Sequence, residues 1–487
     1  MPVPAFVRLL KPVFVCCSLG IFLFAAVASP AQTYKVVLSF NGTDGTAPYS
    51  PLVQGLDGDL YGTTSNGGTH GNGTFFKVTP SGTLTTLYNF CSQPGCADGN
   101  APQGGVVLGT DGNFYGTTNY GGTGTTYCGS GCGTIFRITH TGIQTTLHNF
   151  CVDSSCLDGY VPTAGLVQGS DGNFYGTAPS SGSFFQGSVY KMTPTGTFTT
   201  LYDFCAQPGC TDGEAPRAGL IQGANGNYYG TTADGGAFGY GEVFEITSTG
   251  ILTVVHSFDL TDGEDPTTKL VLDNNGNYYG MTQGGGSSTA CFDQACGTIF
   301  KMTPSGSLTT LVNFDNTNGA DPEYNPLVQG SDGNLYGTAG GGTNESAGTI
   351  FKMTAAGALT TLYDFCAMSG CGDGSGLGSL MQATNGTFYG TTAGGGTSSN
   401  GVLFSLSTAA HRFVETVPTI GKVGTKVKIL GNNLSGATSV TFNGTTAAFT
   451  VVSTTEITTT VPTGATTGKV VVEAGSALST VVPFRVP

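Results

Sequence analysis

The sequence predicts an all-β chain: a seven-bladed β-propeller with four antiparallel strands per blade, followed by a small β-sandwich. Three observations carry that expectation. A Tyr-Gly step recurs at Tyr61, Tyr115, Tyr175, Tyr229, Tyr279, Tyr336 and Tyr389, about 55 residues apart, a period that marks propellers, solenoids or arrays. β-branched and aromatic residues fill each unit between Gly-rich turns, and no helical period of apolar residues competes. Finally, the N-terminal segment holds a strand that the last unit lacks.

The first element is a leader, expected over residues 1–31. It carries two cations, Arg8 and Lys11, then an apolar run over 13–27 and small residues over 26–31 suited to cleavage. This is the layout of a secretory signal, and the run is short for a membrane span. Cys16 and Cys17 lie inside it without the small residue ahead that a lipid attachment needs. No second apolar stretch of spanning length follows, so the mature chain is expected outside the cytoplasm with no transmembrane segment.

The ring is expected over residues 32–412. In the unit that begins near Leu166, strand a is expected at 166–169, strand b at 174–177, strand c at 188–193 and strand d at 197–204. Between a and b stands Asp171-Gly172, matched by Asp57-Gly58, Asp111-Gly112, Asn225-Gly226, Asn275-Gly276, Asp332-Gly333 and Asn385-Gly386. Such pairs suit tight hairpins in which both central residues take positive φ. A metal ligand or an acid would need the carboxylate in every copy, and Asn replaces it freely, so these are turn residues. Between c and d, Thr-Pro-Ser/Thr-Gly (79–82, 193–196, 303–306) is a second hairpin signal. The seventh unit has a strand c near 402–406 but no strand d, and residues 34–40 supply one. A first strand completing the last blade closes a ring.

Up-and-down strands sort the connections onto two faces. The short a–b and c–d turns share one face. The b–c and d–a loops share the other and carry the length variation. Twelve cysteines follow the leader, all in close pairs: Cys91 and Cys96, Cys128 and Cys132, Cys151 and Cys156, Cys205 and Cys210, Cys291 and Cys296, Cys366 and Cys371. Even number and local pairing in an exported chain predict disulfides rather than zinc ligands, all of them on the long-loop face. Each is expected to close a tiny loop and nothing more. The d–a loops end in Asp-Gly-x-x-Pro in most copies. Calcium at Asp44, Asp98, Asp158, Asp212, Asp262 and Asp373 competes with a turn role, and Asn318 in the same position favours the turn. The b–c loops of units two to five carry Tyr120 and Tyr127, Phe184 and Phe185, Phe238 and Tyr240, and Phe292. These aromatics are the candidate ligand-binding residues, as a stacking platform for a sugar or a groove for a peptide. The competing reading is that they fill gaps between blades.

The repeat stops near Val414, and residues 413–487 alternate apolar and polar residues in short runs. Gly424-Thr425, Gly431, Val440-Thr441-Phe442-Asn443-Gly444, Ile457, Val461-Pro462 and Gly468 resemble the IPT/TIG domains of bacterial surface proteins, which implies an immunoglobulin-like sandwich. The Asp-Gly-Asn-x-Tyr-Gly-Thr core of the repeats resembles the GloVer tandem repeats of exported bacterial proteins, over roughly residues 34–408. That resemblance implies a secreted or cell-surface location and brings no established activity. The chain departs from anchored members in having no apolar tail or sorting motif before Pro487.

Composition limits the partners. The sequence has 16 Lys and Arg, of which two lie in the leader, and 30 Asp and Glu, so the mature chain carries a formal charge of −16. Without a basic patch, nucleic acid and anionic membranes are excluded as partners. The histidines (His70, His140, His148, His256, His411) stand in unrelated places and are expected at the surface or in packing, and no Gly-x-Ser-x-Gly or His-Glu-x-x-His motif is present. Gly-rich stretches such as 284–286 precede strands, so they lack the helix N-terminus of a phosphate cradle. Acidic residues on the long-loop face (Asp153, Glu214, Glu264, Asp265, Glu323) are the alternative, as acid and base of a polysaccharide-active enzyme. The expectation is a non-catalytic binding or adhesion protein for an extracellular polysaccharide or protein, with no cofactor and no metal. A purely structural envelope component is the third reading.

Overall fold

Each repeat folds into one four-stranded antiparallel sheet in the computed structural model, which describes residues 32–487 apart from Thr126, Ser154, 181–183, Phe185, 292–295, Tyr324, 344–346 and Leu377. The leader therefore lies outside the described residues. In the third unit Val167–Gln168, Phe174–Ala178, Ser188–Met192 and Phe198–Asp203 pair in chain order, within a residue or two of the expected strands. Six sheets are built this way. A seventh joins Leu380–Gln382, Phe388–Thr392 and Val402–Ser407 to the N-terminal strand Thr33–Ser39. Tyr34 stands opposite Leu406 there, so the N-terminal strand takes the place of the missing strand d.

Successive sheets pack face to face in a propeller-like series, which is why every strand b is buried along its whole length (Leu60–Thr64 and its counterparts). The Tyr-Gly tyrosine of one unit lies against the aromatic that opens strand b of the next. Ring centroids are 4.4 Å apart for Tyr61 and Phe114, 4.0 Å for Tyr115 and Phe174, and 3.9 Å for Tyr175 and Tyr228. Such pairs add about 0.5–1.5 kcal/mol each beyond simple burial. Strand-a glutamines link units as well: Gln168 Oε1 accepts from Thr110 N–H and Gln222 Oε1 from Ser170 N–H. The same bond joins the seventh unit to the first, from Thr384 N–H to Gln54 Oε1 at 2.9 Å. Tyr389 and Leu60 share a core across that junction.

The a–b turns correct one expectation. Only the glycine takes positive φ, between 82° and 91° at Gly58, Gly112, Gly172, Gly226, Gly276, Gly333 and Gly386, while the preceding Asp or Asn does not. Gly112 N–H donates to Gly109 O and Gly109 N–H to Asn113 O, a one-residue-longer loop than the two-residue hairpin. The acidic side chain explains the difference. Asp111 Oδ1 accepts from Asn113 N–H and Oδ2 from Tyr115 O–H at 2.8 Å, and neither bond asks for a left-handed backbone. Beside Asn225 and Asn385 the tyrosine oxygen accepts instead, at 3.0 Å from Asn225 Nδ2 to Tyr229, whereas beside Asn275 Tyr279 O–H donates to Asp273. A phenol both donates and accepts, so Asp and Asn exchange freely.

Beyond the repeats lie two further four-stranded sheets. One orders Glu415–Val417, Lys426–Leu430, Glu456–Thr460 and Phe449–Val451. The other orders Thr445–Thr446, Ser439–Phe442, Val470–Glu473 and Ala477–Ser479. They enclose a core of Val427, Ile429, Val440, Phe442, Ile457, Val470, Val472 and Phe484. This pair of sheets sits on the short-turn face. Thr455 O–H donates to Leu56 O, Asn432 Nδ2 to Thr384 Oγ1, and Arg485 Nη1 to Gln222 O. Leu430 joins the core of the first unit beside Leu56. Among the described residues helix is confined to single 3-10 turns such as Pro94–Cys96 and Pro208–Cys210. Among the described residues no helix is long and apolar enough to cross a membrane.

A candidate ligand-binding face

The long-loop face is built by a repeated device. In five of the seven d–a loops the Asp of the Asp-Gly step gathers both a side-chain and a backbone donor. Asp98 accepts from Tyr88 O–H at 2.7 Å and from the N–H groups of Ser92 and Gln93. Asp212 does the same with Tyr202, Ala206 and Gln207, and Asp373 with Tyr363, Ala367 and Met368. Burial pushes the Asp98 carboxyl up, but these donors outweigh it and hold it below the usual carboxylate range. His148 and His256 occupy the tyrosine's place, with Nε2 at 2.9 Å from Asp158 and 2.7 Å from Asp262. The two histidines, expected only as surface or packing residues, are thus loop fasteners.

The six cysteine pairs come together on the same face. Four lie in d–a loops: Cys91 with Cys96, Cys151 with Cys156, Cys205 with Cys210 and Cys366 with Cys371, at Cα–Cα distances of 4.0–4.3 Å. Two lie in b–c loops, Cys128 with Cys132 at 5.2 Å and Cys291 with Cys296 at 5.3 Å. The pairs close their short loops as expected, and the second member of several does more. Cys132 and Cys156 are buried and join the core that the second and third units share, because a bridged sulfur is apolar enough to pack there. Cys96, Cys156, Cys210 and Cys371 hold left-handed backbones, φ 47–56°, and their carbonyls are hydrogen-bonded. Cys371 O accepts from Gly374 N–H of its own loop and from Gly396 N–H of the neighbouring b–c loop, both at 2.9 Å, and Cys96 O and Cys210 O do the same with their counterparts. Cys156 O accepts from Gly159 N–H, and Cys132 O takes Val161 N–H of the d–a loop beside it. These cysteines therefore tie loop to loop as well as closing them.

Fixed in this way, the loops of units four to six surround a groove of about 810 Å³ lined by Asp234, Tyr240, Glu264, Asp265, Gln283, Asp321 and Glu323 among others. Asp265 and Asp321 precede prolines and hold left-handed backbones, φ 52° and 48°. Burial, with Asp234, Glu264 and Glu323 nearby, pushes the Asp265 carboxyl up to about 6, against the pull of Arg217, whose Nη1 lies 3.8 Å away. Burial also raises Glu264, assisted by Asp234, and Glu323, assisted by Asp321. Gln283 Nε2 donates to Glu323 Oε1 at 2.7 Å. Carboxylates, one carboxamide and a tyrosine around a groove can bind hydroxyls or amines, and a carboxyl near 6 can hold or release a proton at neutral pH.

Beneath the groove lies an acid that stands out from the repeat. Strand c opens with Thr74, Thr134, Ser188, Thr298 and Thr349 in five units but with Glu242 in the fourth. The threonines pair with strand b, as Thr118 Oγ1 and Thr134 Oγ1 do at 2.9 Å. Glu242 is fully buried, and both its oxygens and Thr232 Oγ1 lack hydrogen-bond partners among the described residues. Burial, with Asp212 adding to it, pushes the Glu242 carboxyl up to about 8.

A second cavity, about 740 Å³, lies where the inner strands converge. The residue after each loop proline lines it: Tyr49, Gln103, Thr163, Arg217, Thr267 and Glu323. A third, about 480 Å³, lies between the inner strands and residues 413–419, 430 and 480–482.

The structure spreads the predicted aromatics rather than gathering them. Tyr120, Tyr127, Phe184 and Phe238 are 40%, 54%, 49% and 61% exposed, so they do not plug gaps between sheets. Tyr240 is half-buried, packs against the core of the fourth and fifth units, and lines the groove. Phe185 and Phe292 lie outside the described residues. Of the predicted acids, Glu264, Asp265 and Glu323 meet in the groove. Glu214 lies beside Asp234, and Asp153 is engaged locally with Ser155. Asp234, Asp321, Gln283, Glu242 and Lys269 were missed. For Asp321 a signal existed: acids fill the two variable positions of Asp-Gly-x-x-Pro only at Glu214, Glu264-Asp265 and Asp321.

The Gloeobacter/Verrucomicrobia repeat matches the chain over residues 22–169, 124–295, 165–404 and 293–457. No curated protein sequence matches it. Among solved structures, the extracellular domain of a protein assigned as a hybrid two component system of B. thetaiotaomicron is 12% identical with a TM-score of 0.48. The match covers 92% of this chain and 57% of that one, so the chain spans little more than half of that relative. A second such domain from B. thetaiotaomicron is 9% identical, TM-score 0.48, over 92% of this chain and 58% of that one. A gluconolactonase from Xanthomonas campestris is 11% identical, TM-score 0.37, over 77% and 90%. None of these likenesses carries over a function.

Proposed function

The chain belongs to the Gloeobacter/Verrucomicrobia repeat family, and from that premise we propose that it is a secreted or cell-surface, non-catalytic binding protein. Its parts are a leader over 1–31, a closed ring of seven blades over 32–412 and an immunoglobulin-like IPT/TIG domain over 413–487. The ligand is an extracellular polysaccharide or protein held on the long-loop face, at the groove around Tyr240, Asp265 and Gln283. One observation supports this above the rest: the short-turn face is occupied by residues 413–487, whereas the long-loop face is fastened by aspartates and disulfides and left open over the groove. A rigid frame with varied open loops is where binding resides.

The test is retention of the mature chain on immobilised cell-wall and plant polysaccharides, and capture of protein partners on the same scale. Tyr240→Ala and Asp265→Asn should each weaken binding about tenfold and leave the melting temperature within a few degrees. Retention that both variants leave unchanged would remove the groove from the proposal. A second reading, acid–base cleavage of a polysaccharide, is favoured by the raised Asp265 carboxyl among its neighbouring acids. Release of reducing ends that Asp265→Asn abolishes would establish it instead.

A further inference from the structure

The 740 Å³ cavity where the inner strands converge is lined by positions at which the repeat ceases to repeat. Directly after the loop proline stand Tyr49, Gln103, Thr163, Arg217, Thr267 and Glu323, six residues of which only two are alike. Two residues beyond Thr267 comes Lys269, where the other units have Pro51, Gly105, Gly165, Gly219, Pro326 and Ser379. A lysine has replaced the smallest or stiffest residues at the inner wall of a chain whose net charge is strongly negative.

Lys269 lines this cavity and also the smaller one on the side of residues 413–419. Its stem runs past Gly219, where a Cβ would stand in ordinary contact with Lys269 Cδ at 3.6 Å. Among the described residues no hydrogen bond or ion pair engages its ammonium. The other charged groups of the cavity are occupied, Arg217 by Asp265 and Glu323 by Gln283. Burial draws the Lys269 ammonium below the usual lysine range, the mark of a cation surrounded by protein without a counter-charge. Among the described residues Thr163 and Thr267 add two buried hydroxyls without partners, and Thr267 is 1% exposed. A half-buried, unpaired cation and unmatched hydroxyls around a cavity of this size are the features of a small-molecule site.

We infer that this chamber binds a carboxylated sugar of one or two rings, its carboxylate on the Lys269 ammonium and its hydroxyls on the polar ring of Gln103, Thr163 and Thr267. The carboxylate supplies the missing counter-charge, and the hydroxyls supply both donors and acceptors. The chamber shares Glu323 with the acidic groove, but it is lined by Arg217 and Lys269 as well, cations that the groove's lining lacks.

The experiment is titration of the mature full chain with D-galacturonate and D-glucuronate, with D-galactose and D-glucose as neutral controls, followed by calorimetry and by the ammonium resonance of Lys269. At least one uronate should bind saturably below about 20 mM and shift that resonance, with the matching neutral sugar at least about tenfold weaker. Lys269→Met keeps the stem and removes the charge, and should weaken uronate binding at least about tenfold, whereas Lys269→Arg should stay within about threefold. Should Lys269→Met fail to fold, Lys269→Gly, the residue of three other units, takes its place. Uronate and neutral sugars that behave alike, no saturation by either uronate, or undiminished binding by Lys269→Met would overturn the inference. Polysaccharide retention lost through Tyr240→Ala reports on the groove alone, so the two proposals fail separately.

Discussion

Each repeat places one Asp-Gly step on each face, and the two behave differently. On the short-turn face Asp111 receives the phenol of Tyr115, the side-chain amide of Asn113 and one backbone N–H, and four of the seven copies are Asp while three are Asn. On the long-loop face Asp98 receives the hydroxyls of Tyr88 and Ser92 and two backbone N–H groups, and six of seven copies keep the carboxylate. The single exception, Asn318, follows a strand with Val312 where the others with a donor have Tyr88, His148, Tyr202, His256 and Tyr363. When the side-chain donor is absent, one amide oxygen suffices, and Asn318 Oδ1 accepts from Asp315 N–H. Exchangeability therefore follows the kind of donor: backbone N–H groups, which cannot turn round to accept, hold both oxygens of Asp98 and Asp212 but only one oxygen of Asp111.

The sharpest way to break this comparison is to remove a carboxylate that backbone N–H groups hold by both oxygens. Asp212→Ala strands Tyr202 O–H and the N–H groups of Ala206 and Gln207, and should cost about 3 kcal/mol in urea unfolding. A loss below about 1 kcal/mol would show that water replaces the carboxylate and that the two faces do not differ.

Glu242 extends the comparison to pH. Its carboxyl, pushed up to about 8 by burial, keeps its proton in the folded protein at pH values where the unfolded chain has lost it. The folded state then binds more protons, so stability falls as pH rises from the ordinary glutamate value to about 8. Asp265, raised to about 6, adds to the fall below pH 6. Between pH 6 and 8 the slope belongs mainly to Glu242 and should amount to about 2 kcal/mol. Glu242→Thr, which restores the residue of four other units, should flatten the melting temperature over that range. An unchanged slope in the variant would assign it to other groups.

The strand order and the completion of the seventh sheet by residues 34–40 were legible because Gly, Pro and Asp mark turns and each strand is bounded by them. The left-handed positions were misplaced because spacing alone does not say that Asp111 spends its side chain on Asn113 N–H. The cysteine pairs were legible from spacing, but not the carbonyl of Cys371 that ties its loop to Gly396, since backbone bonds between loops leave no mark on residue type. The Tyr–Asp fastener was present as a ten-residue interval (Tyr88 to Asp98, Tyr202 to Asp212, Tyr363 to Asp373) and as the joint change to Val312 and Asn318, a pattern visible only when copies are aligned by donor. The groove was half legible. Its acids stand at variable loop positions, but which loops converge depends on the curvature of the stacked sheets. The seating of residues 413–487 had no signal at all, since its hydrogen bonds use the carbonyls of Leu56 and Gln222 and the hydroxyl of Thr384.

The smaller effects separate donor from shape. His148 stacks on Phe198 at 4.0 Å while meeting Asp158, so a tyrosine there keeps both the ring and the donor. His148→Tyr should change stability by less than about 0.5 kcal/mol, whereas His148→Phe, which keeps the ring and loses the donor, should cost about 1–2 kcal/mol. On the other face, Asp111→Asn should cost the least of all, below about 0.5 kcal/mol, because Tyr115 can accept where it now donates. Urea melts of these variants beside Asp212→Asn complete the test. If carboxylate loss costs the same on both faces, backbone donors on both oxygens are not what holds the long-loop aspartates in place.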